Sequence, residues 1–176
     1  MANSNIEIKD LENNVIFETF GNHSRLELKN ALAIGKFVVA LQKFDDNNKQ
    51  TAFISTYLDA DVALVMANDV LSGRFVKMAS KSSGDIVEVF KAQGGSKKED
   101  KIIYRDLTIS KGRLWMFKAQ ECPGKVVEKG GYAPAGAATA SVSVGVSNET
   151  IKAIALMIQA EWTAYRTAQL LKTKSE

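Results

Sequence analysis

The sequence predicts an α+β protein with two antiparallel four-stranded sheets, each followed by a helix. Three observations predict it. Short runs that alternate apolar and polar residues occur eight times, the period-two signature of half-buried strands. Two stretches replace that rhythm with helical spacing, one mid-chain and one near the C-terminal end. The order of four strands and then a helix occurs twice, over residues 14–80 and 85–172, as a repeat of pattern and not of residue identity.

Each element has its own signal. Residues 1–13 are polar and read as a flexible N-terminus preceding a single domain over 14–176. "NVIFETF" (Asn14–Phe20) and "RLELKN" (Arg25–Asn30) read as strands about a turn at Gly21–Ser24. "GKFVVALQKF" (Gly35–Phe44) puts Phe37, Val39 and Leu41 on one face; "DDNNK" is a turn, and "QTAFISTYL" (Gln50–Leu58) returns. Val62, Val65, Met66, Asp69 and Val70 then follow helical spacing. Asp59 or Asp61 can cap that helix, and Gly73 can end it, unless it runs on through Phe75 and Met78. In the second half, Asp85–Gln93, Lys101–Ser110 and Arg113–Gln120 read as strands, with "GGSKKEDK" as a charged hairpin loop. "ECPGKVVEKGGYAPAGAA" reads as an irregular, mobile arm, including Gly130–Ala138. Thr139–Ser147 is a strand with Val142, Val144 and Val146 inward. Ser147 caps a last helix whose Ile151, Ile154, Ala155, Ile158 and Trp162 form one stripe, widened by Leu156, Met157, Leu170 and Leu171. So broad a stripe predicts packing on two sides, in a core and against a second subunit.

The chain has 176 residues, 45% apolar and 24% charged, which is ordinary for a soluble globular protein. Its opening "MANSNIEIKD" has neither the basic start nor the apolar core of a signal peptide. With one cysteine, Cys122, and no apolar run of spanning length, the expectation is a cytoplasmic protein without membrane contact. The net charge of +3 is unevenly spread: −4 over residues 1–72, +6 over 73–129 and +1 over 130–176. A local basic zone of this kind attracts polyanions.

Sorting the strands by face gives the candidate site. In "RLWMFKAQ", Arg113, Trp115, Phe117 and Ala119 point one way and Leu114 and Met116 the other. If the helices cover the Leu/Met face, an aromatic and cationic face is left open. Phe53 and Tyr57, Tyr104, and Lys36 likewise lie opposite the aliphatic residues of their strands. Bases stack on aromatic faces and phosphates seek Lys and Arg, so this composition suits single-stranded nucleic acid. The expected stacking residues are Phe53, Tyr57, Tyr104, Trp115 and Phe117. The expected phosphate contacts are Lys36, Lys97, Lys98, Lys101, Arg105, Arg113 and Lys118, although alternation puts Arg105 on the aliphatic side of its strand.

Four strands and a helix, given twice with aromatic and basic strand faces, resembles the Whirly family of single-stranded-DNA-binding proteins and the related single-stranded-DNA-binding coactivators. The resemblance spans roughly residues 14–171 and rests on element order, without a signature motif that would transfer residue roles. It implies single-stranded DNA along the strand surfaces and homo-oligomers packed through the helices. The chain also resembles small proteins of phages and conjugative elements of Gram-positive bacteria. Strands, a helix and further strands resemble, alternatively, the OB barrel of bacterial single-strand-binding proteins, here with an added C-terminal helix and without their acidic tail.

No enzyme is expected. His23 is the sole histidine, and no Cys/His metal spacing, GxxxxGK[ST] or GxGxxG occurs. No cofactor or metal is expected. The expected partner is single-stranded DNA, with RNA as a possibility, in replication, recombination or conjugation. The alternative is an oligomeric protein-interaction scaffold without nucleic-acid binding, whose aromatic faces are core; an exposed Trp115 supports binding and a buried one the scaffold.

Overall fold

The computed structural model describes residues 14–81, 85–98, 100–128 and 130–173. The segment 1–13, expected to be flexible, lies outside them. The protein is α+β, with two antiparallel sheets and a long C-terminal helix. Sheet A is a meander of β1 (Val15–Gly21), β2 (Ser24–Ala31), β3 (Lys36–Phe44) and β4 (Gln50–Asp59). Sheet B holds β5 (Val87–Lys98), β6 (Lys101–Lys111), β7 (Trp115–Val126), the short β8 (Tyr132–Pro134) and β9 (Ala140–Val146); β8 and β9 both pair with β7. The helices are α1 (Ala60–Leu71), α2 (Arg74–Ser80) and α3 (Asn148–Thr173).

One apolar core joins both halves. Leu26, Leu28, Phe37, Val39, Leu41, Ile54 and Leu58 line the inner face of sheet A. Leu107, Ile109, Phe117, Val142 and Val144 line that of sheet B. Strand β9 touches all four strands of sheet A, so the two sheets share one core. Helix α3 packs on α1, buries Ile151, Ile154, Ala155 and Ile158 in the core, and is tied to sheet A where Asn30 donates to Glu161 at 2.6 Å.

The capping of α3 follows the sequence. Ser147 Oγ accepts the Thr150 N–H at 3.1 Å, and the same hydroxyl, donating to Glu149 at 2.7 Å, holds that exposed carboxyl below its usual range. Ser147→Ala is expected to cost about 1 kcal/mol. The measurement is urea unfolding, with a lower midpoint at unchanged slope.

Several expectations are corrected. The second sheet has five strands, because the arm after Gln120 is largely ordered as the end of β7 and β8. "GGSKK" continues β5 instead of forming a loop. The middle helix both ends and resumes: Gly73, at φ 73°, breaks it into α1 and α2. Asp59 makes no capping bond and pairs with Lys36 instead, while Asp61 accepts the Val62 N–H.

Candidate nucleic-acid interface

Strand alternation in β7 is as expected, but the faces are exchanged. Trp115 and Phe117 are 2% and 0% exposed and belong to the core. Phe117 faces Ile109 and Val144 on the neighbouring strands. Phe75, carried by α2, packs on Trp115 with ring centroids 6.3 Å apart, and the indole N–H donates to Asn148 Oδ1 at 2.8 Å. The physical reason is area. Trp and Phe bury more apolar surface than Leu and Met, so the packed side of the strand is theirs. Leu114, by contrast, is exposed. Tyr104 is also covered, at 4% exposure, although it does lie on the outer face of sheet B. The cover is β8. The burial raises the Tyr104 pKa above its ordinary value, with Asp106 and then Cys122 adding to the effect.

The cations are dispersed. Lys118 is exposed on the outer face of sheet B, opposite Thr108 and Ser143, and Arg113 is exposed in the turn before β7. Lys97 and Lys101 are exposed at the β5–β6 hairpin. Lys98 pairs there through its backbone; its side chain lies outside what the structure describes.

Four of the expected residues converge elsewhere, on the outer face of sheet A and the cleft beside it. Phe53 and Tyr57 project from β4 on the face opposite Ile54 and Leu58, Phe53 being 46% exposed. Lys36, Tyr57 and Arg105 line one cleft of 480 Å³ between the β3–β4 side of sheet A and β5–β6 of sheet B. Arg105 is half-buried, and Glu121 and Ser96 fix its guanidinium at 2.8 and 3.1 Å.

Register adds residues that the sequence reading did not name. Phe20, Arg25, Gln42 and Phe53 stand directly opposite one another across all four strands. Phe20 is 66% exposed, and the Arg25 guanidinium lies 5.4 Å from its ring centre. Two exposed rings therefore flank sheet A about 14 Å apart, three strand spacings. Tyr57 lies four residues along β4 from Phe53, about 13 Å away. Ala40 and Ser55 form a low floor between these rows. Alternation could have found Phe20, since it shares the polar side of β1 with Glu18.

The electrostatics of this face are close to balanced. Arg25 pairs with Glu18 and, at 2.8 Å, with Glu27; Lys29 meets Glu27 at 3.1 Å; Lys36 meets Asp59. Lys97, Lys101, Arg113 and Lys118 have no carboxylate within 4.0 Å among the described residues. What the face offers is exposed apolar rings three strand spacings apart, with ion-paired cations between and beside them. Among the described residues, no three or more His, Cys, Asp or Glu side chains converge as a metal site, and no helix is long and apolar enough to cross a membrane. No protein-family model matches the chain, and no curated protein matches it.

Proposed function

We propose that this chain binds single-stranded DNA with little sequence preference and without catalysis, along the outer face of sheet A and the adjoining cleft. The observation that carries the reading is the line of exposed Phe20 and Phe53 across sheet A, continued by Tyr57, Lys36 and Arg105 into the cleft. Stacking on such rings is worth about 1–3 kcal/mol per base and tolerates any base. The strand-and-helix order supports a Whirly-like arrangement; two antiparallel sheets with a C-terminal helix are also compatible with an OB-like one. Replication, recombination or conjugation would use this activity.

A titration of labelled oligo-dT against a matching duplex tests it. Binding to the single strand should be the tighter. With two or three phosphates neutralised, at a slope of about −0.7 each, affinity should fall about 7- to 18-fold between 50 and 200 mM salt. Absence of oligo-dT binding at 50 mM salt would sink the proposal. Tight binding of oligo-U would widen it to RNA.

Two observations favour a second reading, an oligomeric interaction scaffold. Trp115 is buried, and Leu156, Met157 and Leu170 are exposed on α3. In that reading α3 joins copies of the chain, which sedimentation equilibrium of wild type and Leu156→Glu would reveal. Oligo-dT binding by the wild type would exclude this second reading, in which the chain binds no nucleic acid.

A further inference from the structure

A second cavity, of 330 Å³, lies on the outer face of sheet B under β8. That volume is at the lower end of small-ligand sites, about 300–1,000 Å³. Its floor includes a row of three polar side chains, Gln93, Asp106 and Gln120, directly opposite one another on β5, β6 and β7. Its wall includes Tyr132 of β8. That ring rests where Gly95 lacks a side chain: a Cβ there would come within 2.8 Å of it.

Asp106 is the informative residue. Its Oδ2 lies 3.7 Å from Lys91 Nζ, while its Oδ1 is buried without a hydrogen-bond partner among the described residues. A carboxylate only accepts, and buried acceptors are nearly always satisfied. The floor therefore calls for a ligand that brings N–H donors to Asp106, acceptors to Lys91 and the amides, and a flat face to Tyr132. Guanine has this pattern: N1–H and N2–H₂ adjacent on one edge, O6 and N7 as acceptors. Thymine places carbonyl oxygens on both sides of its single N–H, which would face the carboxylate.

The cavity adjoins the proposed interface. Gln93 lines both the cleft and the cavity. Next to it, a Cβ on Gly94 would meet nothing within 4 Å, so the rim between them is bare. We infer that a single strand leaving the cleft crosses β5 at Gly94 and lodges one guanine under β8, against Asp106 and Tyr132. This rests on the single-strand reading above and adds a preferred base at one position.

The test compares labelled 15-mers of dT with and without one central dG or deoxyinosine, together with deoxyguanosine monophosphate as free ligand. The dG oligomer should bind about 5- to 150-fold tighter than oligo-dT. Deoxyinosine, lacking N2–H₂, should lose part of that gain. Asp106→Asn should abolish the preference and leave oligo-dT affinity within about twofold. Tyr132→Ala, a second variant in case the first does not fold by circular dichroism, should reduce it. Equal affinity for the dT and dG oligomers overturns the inference but leaves the single-strand reading intact. A dG preference that survives Asp106→Asn also overturns it. If the free nucleotide binds in an Asp106-dependent way and no oligomer does, the guanine site stands and the single-strand reading falls. If nothing binds, both fall.

Discussion

Phe117→Ala is expected to lower the unfolding free energy by about 3–5 kcal/mol, a large share of the roughly 5–15 kcal/mol that holds a domain folded. The ring is fully buried between Ile109 and Val144, where the two sheets meet the helices. Its removal forfeits transfer energy and leaves a cavity in a close-packed core. Denaturant unfolding followed by circular dichroism measures the loss. A change under about 1 kcal/mol would mean that the aromatic side of β7 is not the packed side. It would restore that strand as a base-stacking surface.

Phe20→Ala with Phe53→Ala is expected to do the reverse. Both rings are exposed on edge strands of sheet A, so the unfolding free energy should change by about 0.5 kcal/mol or less per site. Affinity for oligo-dT should drop by about 1–3 kcal/mol for each base that loses its ring, or about 5- to 150-fold each. Fluorescence anisotropy of labelled oligo-dT reads this directly. If the double variant keeps wild-type affinity, the outer face of sheet A is not the binding surface, and the cleft or sheet B must carry any binding that remains. The Phe117 and Phe53 results together separate a residue that holds the fold from one that uses it.

The strands, both helical regions and the Ser147 cap were legible because each depends on local periodicity or local hydrogen bonding. Which side of a strand becomes the core is not a local property. In the stretch entering β7 both sides carry large apolar residues, Leu114 and Met116 against Trp115 and Phe117, and the choice is made by partners distant in sequence: Phe75, Val144 and Asn148. Alternation gives the period and not its sign. Strand β8 was hidden for another reason. Three residues, Tyr-Ala-Pro, within a Gly-rich stretch give no strand pattern, and their position depends on Tyr132 filling the space over Gly95. The same glycine made "GGSKK" read as a loop, since glycine and lysine are depleted in strands. Of the candidate site, Phe53, Tyr57, Lys36 and Arg105 were named from sequence. Their convergence, and the inclusion of Phe20, required the register of sheet A and the placement of sheet B beside it.

The ion pairs across sheet A bear on kinetics. A surface that holds Arg25, Lys29 and Lys36 against Glu18, Glu27 and Asp59 casts little field into solvent. In the proposed role, a strand would not be drawn in from a distance. Encounter should proceed at the ordinary orientation-limited rate, about 10⁵–10⁷ M⁻¹s⁻¹, and not at the faster rates of steered association. Residence time would then depend on how long bases stay on the rings, and a strand would be surrendered when they unstack.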